Sequence, residues 1–442
     1  MSDYFEYVES LFRNREKREQ PLKGIKVVEV THYIFGPNVG RVLAQFGAEV
    51  VKIEPVGEGD RMRMGAVWGR FYKKANLQFL ALNANKYFIS ADVRHKKARE
   101  IVFKLAEKAD VFVENLRAGL ADAMGIGYSA ISRVNPKIVY VSCSGYGQWG
   151  GRLVMEGSFD IAAQAVTSIG TKTGWEEVDE FYKLPDYFGD FLPSQLAVFA
   201  VLAALYHREK TGKGQYIDIS QAEGLFRFLY DVTYLSLTSQ EIGKTGNIDP
   251  TASPSGIFKT KDEKFVAIAI MDDDQFSALA SVVEGLKGKE KDRLKKERIK
   301  ELNKILSEWV STKTLEEVIN LSKELGFPAS PVLGDYDIYK DPWRYERGSI
   351  LKFKDRLYGE VVIPGPVVNL SNSPGEIKWL ARPVGYHNRL VLKKWLGLTD
   401  EEIDELEEEG VIGYWDNVPG CMPPATWDKE KDRVFWGDKD ER

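Results

Sequence analysis

Two cysteines and four histidines are all that this chain of 442 residues holds of the usual metal and redox ligands. Cys143 and Cys421 are too few for a disulfide framework or a cysteine-rich metal site. His32, His95, His207 and His387 stand far apart, and no His-x-x-x-His pair could grip zinc from one helix face. No metal site is therefore expected. An excess of positive charge is also missing: 61 Lys+Arg against 66 Asp+Glu leave a net charge of −5. Nucleic-acid binders carry a basic face, so that class is excluded. The longest apolar run, Leu196 to Tyr206, is about half the roughly 20 residues a bilayer span requires. The opening segment MSDYFEYVESLFRNREKREQ is charged throughout, unlike a secretory signal. The expectation is a cytoplasmic protein without a membrane partner.

Apolar residues are not scarce, at 43% with 12% aromatic, so disorder is excluded. The length exceeds what one compact core holds, and predicts two domains or one domain with a large insertion. Residues 1–20 read as an N-terminal extension, an amphipathic helix and a charged connector before Pro21. An α/β rhythm follows. Ile25–Val30, Glu49–Glu54, Tyr87–Val93, Asp110–Asn115 and Lys137–Gly145 have strand character. Val39–Gly47 and Lys96–Lys108 have helical spacing between them. Such alternation predicts a doubly wound, Rossmann-like parallel sheet. Asp190 to His207 is a largely apolar helix, expected inside the domain. Past residue 230 a hairpin, Ile257–Ile270, and a Lys/Glu-rich helical block predict a smaller α+β domain. The charges of that block read as a solvated face. The boundaries are 21–230 for the first part of the large domain, 231–349 for the small domain and 350–412 for the return. A tail, 413–442, carries Trp415, Trp427 and Trp436 and is expected to wrap over a neighbouring surface.

After the first strand comes Gly36-Pro37-Asn38-Val39-Gly40, which lacks the glycine spacing that a dinucleotide pyrophosphate requires. Pro37 fits the first position of a helix instead. No Walker A motif and no Gly-x-Ser-x-Gly elbow occurs. Five segments, read in order, carry a likeness: PLKGIKVVEVTHYIFGP, AQFGAEVVKIEPVGEGDRMR, ADVFVENLRAG, REKTGKGQYIDIS and RPVGYHNRLVLKKWLGL. As a set they resemble the class III CoA-transferase family, which includes formyl-CoA transferase, carnitine CoA-transferase and the α-methylacyl-CoA racemases. The likeness runs from about residue 21 to 412. It implies an intertwined dimer, a homodimer or a heteromer, with coenzyme A or acyl-CoA bound as substrate in the large domain. No permanently bound cofactor is implied.

The resemblance places the family's catalytic carboxylate at Asp190, after Gly189. On spacing alone Asp190 reads first as a helix N-cap, and the resemblance reverses that order. As a nucleophile it would attack a thioester carbonyl and pass CoA through an anhydride and an aspartyl-CoA thioester. The helix N-terminus would then face the developing oxyanion with its N–H groups. The resemblance also puts Tyr33, Phe35 and Pro37 along the pantetheine, with Arg61 nearby and Arg94 towards the ADP phosphates. Asn115, Leu116 and Met124 would line the nucleotide. Ile34, Phe159, Asp160 and Gly189 would face the acyl group. Ile34 stands where formyl-CoA transferases carry glutamine, and Thr251–Gly256 has one glycine where they carry several, which speaks against oxalate. Phe159 replaces the racemases' histidine, and two-base proton transfer needs a base on each side of the carbon. CoA transfer to a free carboxylic acid leads. Epimerisation with Asp190 and Asp160 as bases and a non-catalytic subunit of a heteromeric transferase stay open.

Overall fold

The computed structural model describes residues 2–13 and 19–441. A helix spans Ser2–Arg13, and part of the connector expected before Pro21 lies outside the described residues. Six strands form one sheet: β1 (Lys26–Val30), β2 (Glu49–Glu54), β3 (Lys86–Ser90), β4 (Val111–Glu114), β5 (Val139–Ser144) and β6 (Gln215–Ser220). All pair in parallel, in the order β3-β2-β1-β4-β5-β6. The winding therefore reverses between β1 and β4, and the crevice outside their carboxyl ends is where such sheets bind ligands. Five helices flank the sheet or frame that end: α1 (Phe35–Gln45), α2 (Lys96–Glu107), α3 (Asp160–Ala165), α4 (Phe188–Thr211) and α5 (Gln221–Phe226).

Both faces of the sheet are covered, which is why β2 to β5 are buried along their length and read as near-continuous apolar runs. Val39 and Leu43 of α1 and Ala197, Val201 and Ala204 of α4 pack on one face against Val27, Val111, Val139 and Val141. Ile101, Val102 and Leu105 of α2 pack on the other with Phe112 and Tyr140. Charges within the strands survive because they meet each other. Lys86 Nζ donates to Glu29 Oε1 at 2.8 Å, the Pro37 carbonyl at 2.7 Å and Asn83 Oδ1 at 2.9 Å. Burial pulls this ammonium down to about 8 against the opposing pull of Glu29. Gly40 of α1 lies over Glu29, and a Cβ there would stand 1.8 Å from Glu29 Oε2.

Three elements differ from the sequence expectation. Helix α1 starts at Phe35, four residues early, so Pro37 is its third residue rather than its first. A first-turn proline loses no intrahelical bond, since those N–H groups have no partner in the helix. Strand β6 was not expected as a strand at all. Helix α4 buries one face only: opposite the sheet, Phe199 is 72% exposed, with Leu202 and Tyr206 also exposed. By length and composition it is apolar enough to cross a membrane, further than the Leu196–Tyr206 run implied, and half of its apolar window is buried.

One compact unit gathers the chain up to Thr167, Pro185–Leu229 and everything from Trp343; the other gathers Ser168–Leu184 and Tyr230–Pro342. The return thus falls at Trp343 rather than residue 350. Ser168–Leu184, expected in the large domain, clusters with the second unit. That second unit has an antiparallel sheet of β7 (Ser255–Lys259), β8 (Phe265–Ala269) and β9 (Ala329–Pro331). Leu302, Leu306 and Val318 from its helices pack on Val266 and Ile268. In the first unit the tail is folded in, with Val434 and Phe435 buried and Trp415, Trp427 and Trp436 packed on the same core.

Candidate active site

Asp190 is the third residue of α4, and its carboxylate does not cap the helix. The cap position is Tyr187, in the left-handed region at φ 57, without a side-chain bond to the first turn. Asp190 Oδ1 instead accepts from Gln221 Nε2 at 2.5 Å. Gln221 opens α5 directly after β6, so the carboxyl end of that strand delivers the amide. Asp160, the first residue of α3, is buried beside them. Its Oδ1 accepts the Gly189 N–H at 2.6 Å, and Gln164 Nε2 reaches Oδ1 and Oδ2 at 2.9 and 3.0 Å. Position 189 has to be glycine, because a Cβ there would lie 2.9 Å from Asp160 Oδ1. One turn into α4, Ser194 accepts from Asn38 Nδ2 of α1, which ties the helix of Asp190 to α1.

Burial is the largest influence on the Asp190 carboxyl and raises it to about 7; Gln221 opposes the rise and the Asp160 charge adds to it. A buried carboxylate raised towards neutrality in this way has the character of functional-site groups. The expected oxyanion donors are altered, however. The Gly189 N–H is taken by Asp160 and the Asp190 N–H donates to the Tyr187 carbonyl at 2.9 Å. Among the described residues, no group of three His, Cys, Asp or Glu side chains could hold a metal ion.

The crevice between β1 and β4 is closed by Asn115. Its Oδ1 accepts the His32 N–H at 2.8 Å and its Nδ2 donates to the His32 carbonyl at 2.7 Å. The amide therefore fixes the loop after β1 and is not turned towards a ligand. Tyr33, next in that loop, sits at φ 61, with its N–H on Asp60 Oδ1 at 2.9 Å. Its ring meets Phe159 edge-on, 5.3 Å between centroids, and Phe159 is 60% exposed. Burial holds the His32 imidazole below its ordinary value, with Asp60 opposing, so that ring is neutral at pH 7.

The structure thus brings together Tyr33, Asn115, Phe159, Asp160, Gly189 and Asp190. It does not bring all the expected residues there. Ile34, Phe35 and Pro37 are buried in α1 and its cap, and Phe35 packs in the core beneath the sheet. They cannot cover a ligand with their side chains. Leu116 is likewise a core residue, and Met124 packs against that core. Arg61 is exposed beside the Asp60 turn. Arg94, in the turn after edge strand β3, spends its guanidinium on Asp92 at 2.9 Å. Sequence reasoning missed Gln221, Gln164 and the Asn38–Ser194 link. Had QYIDIS been read as a strand, Gln221 would have stood out as a polar residue at its carboxyl end.

The family model described as CoA-transferase family III matches residues 22–388. The chain belongs to CoA-transferase family III, and the expectation drawn from the five segments holds. It is 30% identical over 404 residues to the succinyl-CoA–D-citramalate CoA-transferase of Chloroflexus aurantiacus, covering 90% of this chain and 99% of that one. It is 31% identical over 405 residues to the succinyl-CoA–L-malate CoA-transferase alpha subunit of Chloroflexus aurantiacus, covering 90% and 94%. The crystal structure of a CAIB/BAIF family protein from Brucella suis superposes with a TM-score of 0.74 at 26% identity, over 86% of this chain and 100% of that one. The protein is a CoA-transferase, with CoA thioesters as its substrates.

Proposed function

We propose that the protein moves CoA from an acyl-CoA to a free carboxylic acid with Asp190 as nucleophile. The observation that carries this is the buried carboxylate that does not cap its helix and accepts from Gln221. Ionised Asp190 adds to the thioester carbonyl, the C–S bond breaks, and CoA thiolate leaves a mixed anhydride. The thiolate then attacks the aspartyl carbonyl and releases the donor acid, leaving an aspartyl-CoA thioester. The acceptor carboxylate attacks that thioester, CoA departs as thiolate, and it returns to the acceptor's acyl carbon to free Asp190. No proton has to be moved, so one carboxylate suffices. Epimerisation would need Asp160 as a second base, and both its oxygens are occupied by Gln164 and Gly189.

The acceptor we infer is an acid with an apolar or aromatic body. The Tyr33–Phe159 ring pair adjoins Asp160, which accepts the N–H of Gly189 next to Asp190, and the groups that act on Asp190 are an amide and a carboxylate, Gln221 and Asp160. A dicarboxylate would need a cation there. The deciding experiment gives the enzyme an acyl-CoA without acceptor and follows the peptide from Lys183 to His207 by mass spectrometry. A hydroxylamine-labile acyl or CoA adduct on Asp190 is expected. An unmodified peptide, with transfer intact in Asp190→Asn, overturns the mechanism. A panel of acids offered with one donor then ranks aromatic and branched monocarboxylates above succinate and malate, and the reverse order overturns the acceptor class.

A further inference from the structure

The tail lies beyond the matched family region, which ends at residue 388, and it reaches the turn that follows β2. Gly57 donates its N–H to the Tyr414 carbonyl at 2.9 Å and accepts from the Asp416 N–H at 3.0 Å. Cys421 Sγ lies 3.1 Å from the Glu58 carbonyl, and Arg63 Nη1 donates to the Gly420 carbonyl at 3.2 Å. The turn is thus gripped at both ends by residues 414–421.

What the turn carries is Asp60. Its Oδ1 accepts the N–H of Tyr33 and the N–H of Met62, each at 2.9 Å, and its own N–H rests on Glu54 Oε1 at 2.9 Å. Glu54 in turn receives Arg63 at 2.8 and 2.7 Å, so the arginine the tail grips also braces the strand end beneath Asp60. Tyr33 needs such a hold, since a non-glycine residue at positive φ is unfavourable unless its surroundings over-determine it. The tail has further anchors, Tyr87 Oη on Asp440 at 2.6 Å and Arg382 on Glu441 at 3.0 Å, and the Arg382 carbonyl itself accepts from Arg63 Nη2 at 2.9 Å.

We propose that residues 414–421 are a positioning element of the site: they fix the Gly57–Arg63 turn and, through Asp60, the backbone of Tyr33 at the β1–β4 crevice. The kinetic part of this rests on the proposed function and on the resemblance that puts Tyr33 along the pantetheine; the structural part does not. Loosening the tail at Gly420 should free the loop without touching Asp190 or its partners.

Two alanine substitutions in the full-length protein separate positioning from general stability. Gly420 sits at φ +97, and a Cβ there would press to 2.2 Å from the Arg63 carbonyl. Gly437 sits at φ +76, with a Cβ 3.1 Å from the Arg389 backbone and away from the turn. Both substitutions carry the strain of positive φ. Gly420→Ala should speed amide exchange at Tyr33 and Met62 by about tenfold. It should also raise the KM for the acyl-CoA roughly tenfold while kcat falls no more than about twofold. Gly437→Ala should lower the melting temperature and leave those two amides and the KM unchanged. Equal effects from the two, or unchanged exchange at Tyr33 in Gly420→Ala, overturn the proposal. If Gly420→Ala does not fold, Cys421→Ala, which deletes the contact to Glu58, is read by the same exchange measurement with the same two outcomes. A wild-type protein that moves no CoA would defeat the proposed function, and exchange at Tyr33 would still decide this one.

Discussion

The role proposed for Asp190 asks two opposing things of it, a reactive charge and a buried position. Its carboxyl is raised to about 7, burial being the main cause, and only the ionised form is a nucleophile. In the free enzyme kcat/KM should therefore rise with pH to a midpoint near 7 and level off above it; a profile flat from pH 5 to 8 contradicts the role. The same shift acts on stability. Between about pH 4 and 7 the unfolded chain has lost this proton and the folded one keeps it, so stability falls as pH rises through that window. Asp190→Asn keeps the acceptor for Gln221 and removes the charge. It should match the wild type below pH 4, exceed it by about 2–4 kcal/mol above pH 7, and lose nearly all transfer. Denaturant melts at pH 4 and 8 check the sign. Gly189 and Asp190 were singled out by the family resemblance as a Gly-Asp pair before an apolar helix, and Asp160 by its place next to Phe159, where the racemases carry histidine. Ile34 and Phe35 misled, since an apolar pair at a helix start looks the same whether it faces a ligand or the core.

Helix α1 is held over β1 by an unusual fit, a glycine resting on a buried carboxylate. Gly40→Ala would bring a methyl to 1.8 Å from Glu29 Oε2, an oxygen without a hydrogen-bond partner. Glu29 cannot retreat without leaving Lys86, so the helix has to shift. A loss of about 3 kcal/mol is expected, measured as a lower urea midpoint with unchanged slope; a loss under 1 kcal/mol would mean that the carboxylate moves freely. Strands β1 to β5 were readable because parallel strands covered on both faces are apolar runs. Strand β6 was not: it is the sheet's edge, and QYIDIS is half exposed, so its composition resembles a loop. That one unread strand also hid Gln221.

Phe199, Leu202 and Tyr206 on α4 leave large apolar side chains in water. Single exposed residues of this kind are ordinary, but a run of them along one helix is not. An interlocked dimer would cover them, and it should persist at nanomolar dilution by mass photometry, because separation would require unfolding. A monomer–dimer equilibrium in that range contradicts interlocking. A chain that stays monomeric until a second polypeptide is added would point to the heteromer, the arrangement named in the alpha-subunit relative. The first unit is assembled from three stretches of chain. Its edge strand β3 is joined to the tail by Tyr87 and Asp440, 353 residues apart. A ribosome adding about 5–20 residues per second needs roughly 20–70 seconds to go from one to the other. For all that time the outer border of the sheet stands without this contact, so the first unit cannot complete its packing until the residues around Asp440 have been made.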